Sequence, residues 1–261
     1  MSKTYYFISG LPRSGSTLLT AIFNQNPDFH SNITDQLYAC FNGVVNNFYQ
    51  VGIANEIKED NARKILLGLF DGFYGDVNKK IIFNTNRFWT RCVEYLYKIN
   101  PDFKIICTVR NYSEILNSFE KLYKSRRLID PVNTMIYGGI TKNLVNVWQR
   151  TNTVGDNGVV KDSYDSLREA YFGPYKDHLL LVDYSDLVRD TDSTIKKIYD
   201  FIEQPFYKHD YENLTYSNKM YDSLVQAPGL HDVRQKIEYK ETDIVLPPEI
   251  WNRYSGWEFW K

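Results

Sequence analysis

An eleven-residue stretch, Ser9-Gly-Leu-Pro-Arg-Ser-Gly-Ser-Thr-Leu-Leu19, carries the chain's clearest chemistry. It follows the apolar run Tyr5 to Ile8 and places Gly10, four residues, Gly15 and then Ser16-Thr17, which is the spacing of a phosphate loop. Such a loop works because successive backbone N–H groups and the start of the next helix point at an anion. Gly10 and Gly15 supply the unusual backbone angles, and Ser14, Ser16 and Thr17 supply hydroxyls. One part is missing. Ser16 stands where a nucleoside-triphosphate enzyme has the lysine that reaches the β and γ phosphates, and the cation is instead Arg13, on the loop itself. A planar guanidinium can grip tetrahedral oxygens, so the loop fits a donor that is not a triphosphate.

A second stretch, KIICTVRNYSEILNSFEKL, has Arg110 closing an expected strand and Ser118 eight residues later, near the beginning of the helix that follows. A charge-assisted arginine contact plus a hydroxyl can hold a dianion. GLPRSGSTLL resembles the 5′-phosphosulfate loop of the sulfotransferases that use 3′-phosphoadenosine 5′-phosphosulfate, especially the branch containing protein-tyrosine and bacterial sulfotransferases. Arg110 and Ser118 match that family's arginine and serine for the 3′-phosphate, and 179–206 is similar to its strand, turn and helix. The resemblance implies a phosphate-loop-type α/β fold and in-line transfer of a sulfuryl group to a hydroxyl. Around the donor it puts Leu11, Pro12, Arg13, Ser14, Gly15, Ser16 and Thr17, with Arg110 and Ser118 forming a second anion pocket at the donor's other end.

By the same resemblance, charge on the transferring group falls to Arg13 and to Arg87, where the tyrosine-type enzymes have a lysine after an asparagine. The base is expected at Asp35, beside Thr34 at the aligned position, with His30 as the other choice; otherwise Asp35 caps a helix and His30 sits in a surface loop. GLHDVRQKIEY is similar to a late loop that folds over the donor, so Lys236, then His231 or Arg234, could reach the sulfuryl end. Taken singly, each of these charges could equally be a solvated surface residue. Two other readings stand beside this one. A phosphate-loop kinase or nucleotide hydrolase would need Mg²⁺ and a phosphate-reaching lysine, for which Lys3, ahead of the strand, is badly placed; a non-catalytic binder would keep the donor pocket without a base. The acceptor is open among a tyrosine, a sugar hydroxyl, a small alcohol and a lipid headgroup.

These residues need a frame that holds them. The 261 residues are 43% hydrophobic and 24% charged, the balance of an ordinary globular protein, with no repeat or linker, so one domain over 1–261 is expected. A formal net charge of −1 gives no global reason to expect nucleic acid or an anionic membrane. Residues 4–9, 80–84, 104–109 and 178–184 read as buried strands. Helices are expected over 16–26, after a cap at Ser113, after a cap at Asp192 or Ser193, and through VNVWQR, with TNTVGDNG as a turn. Strand alternating with helix predicts an α/β three-layer sandwich on a parallel sheet, with ligands at the strands' carboxyl ends. Cys40, Cys92 and Cys107 lack metal or disulfide spacing and are expected as buried thiols. No metal, signal segment or membrane span is expected, and a cytoplasmic location is. The aromatic C-terminus, IWNRYSGWEFW, is expected to pack on the body.

Overall fold

The computed structural model describes residues 3–34, 36–50, 52, 56–125, 146–224 and 230–261. Strands β1 (Thr4–Gly10), β2 (Phe29–Ile33), β3 (Ile81–Thr85), β4 (Ile105–Val109) and β5 (Leu179–Asp183) form one parallel sheet in the order β2-β3-β1-β4-β5. The three innermost strands are apolar without alternation because both faces are covered. Along β1 the side chains still diverge by turns: Phe7 joins one core cluster, while Tyr6 and Ile8 join the other. Helices on both sides make the expected α/β sandwich.

On the Tyr6 and Ile8 side lie α1 (Ser16–Phe23), α8 (Tyr184–Arg189) and α9 (Thr191–Phe201), delivering Leu19, Ile22, Leu187, Ile195 and Ile198. The Phe7 side is thicker. It collects α2 (Gln36–Phe48), α3 (Glu59–Phe73), α4 (Val93–Ile99), α5 (Tyr112–Lys124), α6 (Val147–Gly155) and α7 (Val159–Phe172). The chain ends with α10 (Lys219–Leu224) and α11 (Pro248–Tyr254). As expected, the C-terminal aromatics pack down: the Tyr112 ring lies 5.5 Å from Tyr254 and 5.0 Å from Trp257.

Several local expectations are corrected. Phe29–Ile33 is a strand the sequence conceals, because an edge position buries only Phe29, Ser31 and Ile33 and leaves His30 and Asn32 half-buried. His30 is therefore a strand residue, and desolvation pushes its pKa down. Asn111, not Ser113, caps α5, accepting from the Glu114 N–H; Ser113 is buried inside and bonds to Trp251 O at 2.6 Å. Ser118 thus lies mid-helix rather than near its start. Asp190 precedes α9, two residues before Asp192 and three before Ser193, so both expected caps lie inside the helix. TNTVG continues α6 to Gly155, and the turn is confined to 156–158 before α7, which the sequence reading left unassigned. Cys92 and Cys107 are buried, but Cys40 is exposed on α2.

Candidate functional site

The loop between β1 and α1 is held by backbone strain and by β4. Gly10 has φ 106°, and a Cβ there would lie 2.2 Å from the Thr108 carbonyl oxygen, so only glycine fits. The Leu11 N–H donates to that same oxygen at 2.8 Å. Ser14 is fully buried, and its hydroxyl bonds Leu11 O and, at 2.7 Å, the Thr108 hydroxyl. Of the three hydroxyls expected to face an anion, this one is turned inward and shapes the loop. Gly15, at φ 98°, precedes α1, and its missing side chain makes room for Tyr184 and Leu187. Arg13 has φ 59°, a left-handed conformation rare for a side-chain-bearing residue. Leu11 and Pro12 are buried, while Ser16 and Thr17 are half-buried at the start of α1.

The two motifs, expected as separate pockets, are contiguous. Arg13 Nε donates to Ser118 Oγ at 3.1 Å across 105 residues, and Arg110 Nη1 donates to the Arg13 carbonyl oxygen at 3.2 Å. Arg110 is also held by Glu114 at 2.8 Å and by the face of Tyr184, 4.5 Å from ring centroid to guanidinium. These contacts fix its orientation beside the N-termini of α1 and α5, where backbone partial charge is already positive. Two guanidiniums and two helix N-termini carry the same sign, with Glu114 the carboxylate paired to Arg110 among them, so the field here favours an anion. Tyr184 and Glu114 escape sequence reasoning about the site. Their signal was position: Tyr184 directly follows β5, and Glu114 stands one helical turn after Arg110.

A cleft of about 610 Å³ opens over this loop. Asn86 and Arg87 enter it from the end of β3, tied to β1 by Asn86 N to Ile8 O at 3.0 Å and Ser9 Oγ to Arg87 O at 2.8 Å. The segment 230–238 contributes to its lining, His231, Arg234 and Lys236 among its residues there. Lys236 is exposed and pairs with Glu212 at 2.6 Å, which raises its pKa. Asp35 lies outside the described residues. Its neighbour Thr34 is buried and accepts the Gln36 N–H at 3.2 Å, so a hydroxyl does the local work of a cap at α2. His30, four residues earlier in the chain, is not part of the cleft lining.

A larger cavity, about 1140 Å³, lies at the other edge of the sheet. Its cations are engaged with helix C-termini: Lys104 Nζ donates to Phe201 O at 2.6 Å and to Glu203 at 2.5 Å, and Lys3 Nζ donates to Tyr74 O at 2.5 Å. Lys3 is thus at the wrong end of β1 to reach a phosphate on the loop. Among the described residues no group of three or more His, Cys, Asp or Glu side chains is placed to hold a metal, and no helix is long and apolar enough to cross a membrane.

A family model described as "Sulfotransferase family" matches residues 6–208. Among solved structures, the sulfotransferase domain from the Synechococcus PCC 7002 olefin synthase is 16% identical, with a TM-score of 0.51 over 98% of this chain and 88% of that one. A sulfotransferase from Alicyclobacillus acidocaldarius is 15% identical, with a TM-score of 0.50 over 86% and 90% of the two chains. At such identities the likeness is one of fold. No curated protein matches significantly.

Proposed function

The chain belongs to the sulfotransferase family, and from that membership we propose that it transfers a sulfuryl group from 3′-phosphoadenosine 5′-phosphosulfate to a hydroxyl acceptor. In this reading the acceptor oxygen attacks sulfur, the sulfur–oxygen bond to the 5′-phosphate breaks, and adenosine 3′,5′-bisphosphate leaves with the electron pair. The work of residues 1–261, read as one domain, is to fix the donor, offset charge and exclude alternatives. Loop residues 11–17 would surround the 5′ end through backbone N–H groups and the Ser16 and Thr17 hydroxyls. Arg110 and Ser118 would take the 3′-phosphate, Arg13 and Arg87 the charge developing on the sulfuryl and bridging oxygens. Lys236 would join them only by exchanging Glu212 for the donor. Asn86 lines the cleft just after β3, where an acceptor would approach.

The observation that carries this reading is the meeting of Arg13 and Arg110, beside the N-termini of α1 and α5, with the mid-helix hydroxyl of Ser118. It is a cationic focus with no lysine on the loop to reach β and γ phosphates, which suits a bisphosphate better than a magnesium triphosphate. Calorimetry with adenosine 3′,5′-bisphosphate and, separately, Mg·ATP tests it. The bisphosphate is expected to bind without added metal and at least about tenfold more tightly than Mg·ATP, about 1.4 kcal/mol. Equal affinities would count against a 3′-phosphate site. Consumption of labelled donor with a hydroxyl acceptor then separates an enzyme from a binder.

A further inference from the structure

We propose that His231, oriented by the buried carboxylate of Asp222, is the general base that accepts the proton of the acceptor hydroxyl; this rests on the donor reading above. Asp222, on α10, is 2% exposed, and both its oxygens turn to one residue: Oδ1 meets His231 Nδ1 at 2.5 Å, and Oδ2 accepts the His231 backbone N–H at 3.2 Å. A carboxylate this buried is costly unless its lone pairs are satisfied. Here they are satisfied by a histidine that lines the loop's own cleft. An imidazole whose Nδ1–H donates to a carboxylate is fixed in the tautomer with the lone pair on Nε2, the form a base requires, and the carboxylate stabilises the imidazolium once formed.

The surrounding segment is built to hold that imidazole at the carboxyl edge of the sheet. Residues 211–216 and 233–237 pair through Leu214 N to Gln235 O at 2.7 Å and Ile237 N to Tyr211 O at 3.1 Å. Leu214, Val233 and Ile237 pack on the core cluster of α1 and α9. Asn218 donates to Ile33 O at 2.9 Å, tying the approach to α10 to the end of β2. On the far side the Arg189 guanidinium lies 3.6 Å over the Tyr239 ring. The charged groups sharing the cleft are Arg13, Arg87 and Arg110 from the sheet side and Asp232, Arg234, Lys236 and Glu238 from the segment itself. The step balances simply. Nε2 takes the acceptor proton, the oxygen's electron pair forms the new O–S bond, the old O–S bond breaks toward the bisphosphate, and the imidazolium returns its proton to solvent.

The test is nitrogen-15 NMR of the histidine imidazoles in the full chain, assigned with His231→Gln, in the presence and absence of adenosine 3′,5′-bisphosphate. The expected result is an Nδ1–H tautomer at neutral pH and a titration midpoint that rises by at least about half a pH unit when the bisphosphate saturates, because an anion near Nε2 favours the imidazolium. Asp222→Asn is expected to abolish the tautomer preference while bisphosphate affinity stays within about threefold. An Nε2–H tautomer in the wild type, or a midpoint unmoved by a saturating bisphosphate, overturns the base and leaves the donor site standing. Failure of the bisphosphate to bind overturns both.

Discussion

The two edges of the sheet use the same residue types to opposite ends. At the amino edge, Lys3 and Lys104 donate to Tyr74 O and Phe201 O at the C-termini of α3 and α9, and Arg63 does the same for Ile99 O at the end of α4. Each cation there meets carbonyls that the helix leaves unpaired, and the dipole favours it. At the carboxyl edge, Arg13 and Arg110 sit beside helix N-termini, where the dipole opposes them. The larger cavity is therefore electrostatically settled, and the smaller one is poised for an anion.

Backbone strain separates the edges most sharply. Gly10→Ala forces a Cβ against the Thr108 carbonyl at positive φ, combining backbone strain with overpacking, and should cost about 4 kcal/mol in urea unfolding. Gly75→Ala, near the Lys3 cap, meets nothing closer than 3.5 Å and should stay within about 0.5 kcal/mol. Similar losses at both positions would remove the contrast.

A second break comes from acid. His209 is buried beyond the C-terminal end of α1, its Nε2 2.9 Å from Tyr199 OH, and desolvation lowers its pKa from 6.5 to about 4. The unfolded imidazole takes up a proton at its ordinary pKa and the folded one only near 4, so the unfolded state binds more protons between the two. Stability should hold above about pH 6.5 and fall by about 3 kcal/mol as the pH drops to about 4. His209→Gln should flatten that slope in urea titrations at pH 7 and 4.5; an unchanged slope assigns the acid sensitivity elsewhere.

Arg110→Ala addresses the anion focus. It should weaken bisphosphate binding by about 2 kcal/mol, roughly thirtyfold, the worth of a charge-assisted contact, and the affinity of the wild type should fall with salt. Calorimetry that finds no loss removes Arg110 from the site. The smallest expected effect belongs to the amino edge, where Lys104→Met should lower stability by about 0.5–1 kcal/mol and leave bisphosphate affinity unchanged. A drop in affinity there would mean that the two edges are coupled.

Much of this was legible in the chain itself. Four of the five strands are short apolar runs: the three innermost because a strand buried on both faces has no alternation to hide, and β5 although it lies at a sheet edge and is half-buried, contrary to its reading as a buried strand; the loop glycines sit where only glycine fits. The edge strand β2 was not legible, since FHSNI offers two apolar residues among three polar or titratable ones. Nor was α7, whose apolar positions are interrupted by Lys161, Asp162, Asp165 and Arg168. Arg13 was singled out by its place in the loop, and Arg110 with Ser118 by likeness to a family motif, yet their contact was not legible: a hydrogen bond across 105 residues has no sequence period. Asp222 carried no signal, because it acquires meaning only when folding brings His231 back to it.

Local spacing was enough to specify a strand-to-helix glycine loop without a lysine, strands bound for a sheet interior, and an arginine at a strand's end, because each follows from the geometry of a few consecutive residues. Which carboxylate pairs with which cation, which hydroxyl turns inward, and which histidine arrives at the cleft were decided by tertiary packing. Those outcomes depend on burial and on partners far away in the chain, and electrostatics between distant segments exists only once the sheet has assembled.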